Sequence, residues 1–137
     1  MCGCAGAPQP QLVAENGVIH RFFDTSPVSP SGKYAALFEL PYEGKKTVAG
    51  DASKVVVVEL PSMKRIFETE SRGWETQMGA NVQWGASDAD LFFNDVDPKT
   101  WKEFAVRLGF KTGKKNAPCG HGFHGLARRQ KARFSQP

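Results

Sequence analysis

Runs of apolar residues four to seven positions long, some alternating and some continuous, are punctuated by Gly, Pro, Ser and Asp along most of this chain. The first, Val18-Ile19-His20-Arg21-Phe22-Phe23, predicts a short strand that ends at the turn Asp24-Thr25-Ser26-Pro27. Ser29-Pro30-Ser31-Gly32 predicts a tight turn, because proline presets φ at the first central position and glycine tolerates the exit geometry. Behind it, Tyr34, Ala36, Phe38 and Leu40 fall on one face and Ala35, Leu37 and Glu39 on the other. Both faces are largely apolar, as expected of a strand covered on two sides. Pro41 to Lys54 is polar and glycine-containing, a loop of fourteen residues, long for a hairpin and so a candidate functional loop. Lys54 to Leu60 contains four consecutive valines, costly in a helix and favourable in a pleated sheet. Pro61-Ser62-Met63-Lys64 then turns the chain into Arg65 to Thr69, an expected outer strand.

The same grammar returns further on. Asn81-Val82-Gln83-Trp84 precedes the turn Gly85-Ala86-Ser87-Asp88, and Ala89 to Asp95 supplies the next strand. Setting Val28 on Trp84 gives an offset of 56, which superposes Ser31 on Ser87 and Ala35-Ala36-Leu37 on Leu91-Phe92-Phe93. Phe104 to Leu108 then aligns with Val56 to Leu60 at an offset of 48, with eight residues fewer in the intervening loop. Repeated units of about 50 residues holding several short strands are the signature of propeller blades. The alternative is two unrelated hairpins in a β-sandwich. No sustained 3.6-residue stripe lies between the strands, and the best helical candidate, Pro98 to Leu108, reads equally as a turn and a strand.

Composition changes the picture in three places. The 137 residues suffice for one small core, and no apolar run approaches the roughly 18 residues a membrane helix needs. The net charge of +4 conceals −5 over residues 1–98 and +9 over residues 99–137. That basic end would attract a polyanion, but its aromatics are few and no nucleic-acid-binding fold is signalled, so no specific nucleic-acid partner is expected. Cys2, Cys4 and Cys119 are too few for an even disulfide framework, and the N-terminus lacks the charged and apolar regions of a secretory signal. A cytoplasmic setting follows as the expectation. The expected organisation is a flexible lead-in over 1–17, a repeat region over 18–115 divided at about residue 70, and a basic, poorly ordered tail over 116–137.

With "SPSGKY", "VVVVELPSMKRI", "SRGWETQMGANVQW" and "DLFFNDVD", the segment 18–115 resembles the opening blades of TolB-like β-propellers, in particular oligogalacturonate-lyase-like and related bacterial propeller proteins. In that family "SPDGK" opens a blade strand and "DLxTGE" marks a later hairpin. Here Ser31 stands at the usual acidic position, and Thr112-Gly113 keeps the second signature. The resemblance implies an all-β fold of about two antiparallel blades. A complete ring usually has about six, so an N-terminal fragment, self-association or missing blades are implied. Such turns identify architecture far better than chemistry.

Candidate chemistry concentrates in Glu70 to Asn81, an expected connection between blades. Arg72 suits a carboxylate, Trp74 a flat apolar face, and Gln77 and Asn81 the orientation of hydroxyls, pointing to a protein or carbohydrate partner. The competing reading has Trp74 capping the layer between blades and Arg72 and Gln77 satisfying backbone groups. Trp84, at a strand end before a turn, is expected in the core. Asn94, Asp95 and Asp97 offer oxygen ligands for a hard cation, but are equally ordinary turn formers. His20 draws notice because the resembled lyases hold a divalent metal with His and Gln from several blades. It is otherwise a loop or core histidine. Cys2, Cys4, Cys119, His121 and His124 are zinc-type donors without knuckle spacing. No P-loop, dinucleotide fingerprint, nucleophile elbow or H-E-x-x-H pattern occurs. The expectation is therefore a binding or structural module without a cofactor, inactive alone. The alternative is a fragment of a metal-dependent polysaccharide lyase.

Overall fold

The computed structural model describes Gly6 and residues 16–20, 25–48 and 50–116. Within them the chain is all-β, with eight strands: β1 (Val18–Ile19), β2 (Tyr34–Glu39), β3 (Ser53–Glu59), β4 (Arg65–Ser71), β5 (Gln83–Trp84), β6 (Asp90–Val96), β7 (Glu103–Gly109) and β8 (Lys114–Asn116). They form two four-stranded antiparallel sheets, β1-β2-β3-β4 and β5-β6-β7-β8, and close no barrel. Each strand neighbours the next in sequence, the cheapest way to pair strands with short connections.

Local chemistry accounts for the turns. The Ser29 carbonyl accepts the Gly32 N–H at 2.9 Å, while the Ser29 hydroxyl accepts the Tyr34 N–H at 3.2 Å. Gly32 takes φ 75°, a left-handed value that a Cβ penalises. The valine run of β3 forms the centre of the first sheet, and Val55, Val56, Val57 and Val58 are fully buried.

The internal repeat is real in the pairing pattern. An isolated bridge joins Val28 to Ala35, and 56 residues later Trp84 pairs with Leu91. Tyr34 faces Glu59 in the first sheet and Asp90 faces Gly109 in the second, so the next strands are related by 50 residues rather than 48. The offset thus falls from 56 to 50, and the loop is six residues shorter in the second sheet, not eight. The following hairpin keeps that relation: Met63 (φ 58°) and Gly113 (φ 67°) occupy the same left-handed turn position. Alternation along the strands could not detect the slip, because a shift of two leaves every side chain on the same face.

Other boundaries shift at β1 and β4, while Pro98 to Leu108 keeps its turn-and-strand reading. β1 stops at Ile19, His20 is exposed beyond it, and Arg21 to Phe23 lie outside the described residues. β4 continues to Ser71 rather than Thr69. Pro98 to Leu108 contains no helix: a turn closed by the Asp97 N–H on the Lys102 carbonyl (3.0 Å) leads straight into β7.

The core lies between the sheets. Ala36, Phe38, Val55 and Val57 of the first meet Leu91, Phe93, Val106 and Leu108 of the second. By the 56 and 50 offsets, the counterparts of that first set are Phe92, Asn94, Ala105 and Arg107, which lie on the opposite face of the second sheet. The sheets therefore stack front to back, not through equivalent faces. Tyr34, Trp84 and Phe110 close one end of the interface with edge contacts at ring separations of 5.1 and 5.4 Å. The Trp84 Nε1–H donates to the Pro27 carbonyl at 2.9 Å, so this half-buried indole belongs to the core edge. Ser31 tethers the same end by donating its N–H (3.0 Å) and its hydroxyl to Asp88, which holds that carboxyl below its ordinary pKa.

The far face of the first sheet is built from Ala35, Val56 and Val58, packed by Leu60 and Met63. Arg65 on β4 reaches across β3 to Glu39 on β2 at 3.0 Å and also pairs with Glu68. Its stem and the ion pair cover valines that would otherwise meet water.

Candidate ligand-binding site

The connection from β4 to β5 is fastened to β6 before it turns. Ser71 is fully buried; its hydroxyl donates to the Asn94 carbonyl at 2.6 Å and accepts the Gly73 N–H at 3.1 Å. The Arg72 N–H donates to Asp95 Oδ1 at 2.9 Å. Gly73 crosses so close to β6 that a Cβ there would lie 2.6 Å from the Asp95 backbone. These contacts fix the Arg72 backbone and leave its side chain available.

Beyond this point the chain forms a miniature hairpin. Glu75 and Gly79 exchange backbone bonds of 3.1 and 2.9 Å, and the Glu75 carboxylate accepts the N–H groups of Gln77 and Met78. Gly79 has φ 59° and no room for a Cβ against the Phe38 ring. Trp74 sits at 5.5 Å from Phe38, ring centre to ring centre, and donates its Nε1–H to the Asp51 carbonyl at 2.8 Å.

That last bond joins the connection to the long loop between β2 and β3. The Tyr42 hydroxyl donates to the Asp51 carboxylate and accepts the Val48 N–H at 3.2 Å. Bonding to Asp51, aided by burial, raises the phenol above its ordinary pKa. Between loop and connection lies a cavity of about 280 Å³. Thr47, Val48 and Gly50 form one wall, and Arg72, Trp74, Glu75 and Thr76 the other. The Arg72 guanidinium makes no ion pair or hydrogen bond with any described residue. A half-buried cation with no partner among the described residues, beside an indole, can take a carboxylate through two parallel N–H bonds.

Of the four residues singled out from sequence, two meet here. Trp74 packs on the core edge and also lines the cavity. Gln77 is exposed on the hairpin and Asn81 lies half-buried behind it with φ 53°; neither lines the cavity. Asn81 serves the backbone, since asparagine tolerates the left-handed region better than most residues.

Comparison with known proteins came back empty. No family model, no curated protein and no solved structure matches this chain. The cavity must be interpreted from its own chemistry.

Sequence reasoning missed the opposite wall, although the fourteen-residue loop that supplies it stood out by length. It also missed Trp101, 59% exposed, whose ring stands 2.6 Å from where a Cβ on Gly50 would be. A tryptophan within the polar run Asp97 to Lys102 was the available signal.

Of the oxygen groups at the end of β6, the carboxylates of Asp95 and Asp97 serve local structure, while the Asn94 side-chain oxygen is buried without a described partner. The Asn94 carbonyl accepts the Ser71 hydroxyl, Asp95 accepts the Arg72 and Val96 N–H groups, and Asp97 accepts those of Lys99 and Thr100. The two backbone bonds hold Asp97 below its ordinary pKa. Among the described residues no group of three His, Cys, Asp or Glu side chains is placed to hold a metal ion. The five zinc-type donors Cys2, Cys4, Cys119, His121 and His124 lie outside the described residues. No described helix is long and apolar enough to cross a membrane.

Proposed function

We propose that this chain is a binding module made of two propeller-type blades, in which a partner docks over the Arg72–Trp74 cavity. The observation that carries the reading is the Arg72 guanidinium, unpaired among the described residues, in the wall of a 280 Å³ cavity whose other wall is a separate loop. A structural arginine would be expected to spend its donors on neighbouring carbonyls or carboxylates. Front-to-back stacking supports the propeller part, because repeating that step generates a ring of blades, whereas a two-layer sandwich needs only one pair of faces. In this reading the partner is protein or carbohydrate, and further blades come from another copy or from further chain. The lyase alternative gains no support from the arrangement of the described side chains.

The test is a titration followed by the indole Nε1–H resonances of Trp74 and Trp101, using soluble peptides and oligosaccharides with the wild-type chain and with Arg72→Gln. The expected result is saturable movement of the Trp74 resonance that weakens at least tenfold in the variant. Movement unaffected by the substitution, or none with any ligand, contradicts the reading.

A further inference from the structure

Resting on that reading, we infer that the cavity is built for a single carboxylate carried next to a flat aromatic ring, with Trp101 as an additional binding residue at its mouth. Three features of the walls narrow the chemistry.

The first is charge. Among the described residues Arg72 is the one cation lining the cavity, and it has no described partner. Glu75 lines the same space with its carboxylate already accepting two backbone N–H groups. Glu75 repels any anion here, a dianion such as a phosphate monoester about twice as strongly as a monocarboxylate, and the single guanidinium fork matches the monocarboxylate charge for charge.

The second is the small number of free polar groups. Beyond Arg72, the described lining side chains offer the hydroxyls of Thr47 and Thr76 and the remaining lone pairs of the Glu75 carboxylate, whose two oxygens each already accept one N–H. Gln77 and Asn81, the residues suited to orient ligand hydroxyls, stand outside. A sugar ring asks for a partner at each of several hydroxyls, more than these three side chains are placed to give once the ring is seated. An aromatic ring brings none.

The third is the pair of indoles. Trp74 lines the cavity, and Trp101 stands against Gly50 at its edge, held in the left-handed region (φ 56°) by a turn in which its N–H bonds the Asp97 carbonyl at 2.8 Å. A bulky aromatic rarely adopts that backbone conformation, and here the result is an exposed indole against Gly50, itself a lining residue. Glycine at position 50 is needed to admit it: any Cβ would overlap the ring. The cavity, about 280 Å³ and half open to solvent, has room for one ring with a short acid arm.

The same chemistry is offered by a free aromatic acid and by the C-terminal aromatic residue of a peptide. The experiment measures dissociation constants from the Trp74 and Trp101 indole resonances with phenylacetate, phenylacetamide, methyl β-glucoside, and acetyl-Gly-Phe with a free C-terminus. Phenylacetate is expected to bind at least tenfold more tightly than phenylacetamide. That preference should vanish in Arg72→Gln, and both acids should weaken severalfold in Trp101→Ala, an exposed position whose loss leaves the core intact. Tighter binding of acetyl-Gly-Phe than of phenylacetate identifies a peptide terminus as the source; the reverse order identifies a free acid. Equal binding of acid and amide, or an acid preference that survives Arg72→Gln, overturns the inference. Methyl β-glucoside shifting Trp74 while the acids do not overturns it but leaves the binding-module reading standing. No shift with any of the four probes overturns the inference and counts against the module as well.

Discussion

The two sheets share a frame and fill it differently. Phe38 and Asn94 occupy the same place on the middle strands of their sheets, 56 residues apart. Phe38 and Phe93 are the two largest fully buried side chains of the interface, whereas Asn94 lies on the face turned away from it, its buried Oδ1 without a described partner. Val57 and Arg107 are another such pair: one is core, the other a surface cation held by Asp90 at 2.9 Å. Register and turn geometry are thus repeated by backbone requirements, while side-chain character follows what each face touches. The loops diverge too. The long one between β2 and β3 carries a wall of the cavity, and its short counterpart holds Trp101 against that wall.

The sharpest way to break the comparison is to exchange the roles of the paired positions. Phe38→Ala should destabilise the chain by about 3–5 kcal/mol in chemical denaturation, through lost burial and a cavity between the sheets. Asn94→Ala should cost less than about 1 kcal/mol, since it also removes an unsatisfied buried oxygen. Comparable losses at both sites would mean that the second sheet also packs through its outer face.

A smaller effect tests the link that positions the site. Ser71→Ala removes the bonds to the Asn94 carbonyl and the Gly73 N–H, and should cost about 1–3 kcal/mol. Amide shifts should spread through Arg72 to Trp74. A loss of stability without those shifts would detach the connection from this anchor.

The outer ion pairs give the next contrast. Arg65→Met strands Glu39, which is only 8% exposed, and should cost about 1–2 kcal/mol after allowance for the partly open arginine. Arg107→Met breaks an exposed pair and should cost at most about 0.5 kcal/mol.

The smallest effect is one of pH. The phenol of Tyr42 has a raised folded-state pKa because its bond to Asp51 favours the protonated form. Its stabilisation is complete below the unfolded value of about 10 and is lost as pH rises through the higher folded value. The Val48 amide and Trp74 indole resonances should move together in that alkaline window, and Tyr42→Phe should abolish the movement.

Much of this fold was legible in the residues. Four valines in a row and the Ser29–Gly32 turn state their local structure directly, and the 56-residue offset survives in the strand pairing. The 48-residue offset failed for a physical reason: a two-residue slip preserves the face pattern, and only the left-handed positions Met63 and Gly113 reveal the true spacing. Half of the site was legible as well. Arg72 and Trp74 announced themselves by residue type, but Gln77 and Asn81 did not follow, because a five-residue hairpin closed by Glu75 carries one outward and holds the other behind. Which loop faces that hairpin is a long-range fact, set by the Trp74–Asp51 bond across 23 residues, and no local pattern encodes it.

Native-state hydrogen exchange of Val55 and Val57 in β3 and of Val106 and Leu108 in β7, in the wild type and in Phe38→Ala, addresses most directly whether the two repeats stand on one shared core. All four amides should be protected by a similar opening free energy in the wild type and should lose protection equally in the variant. Loss confined to β3, with β7 unchanged, would contradict a common core and leave two sheets that are merely adjacent.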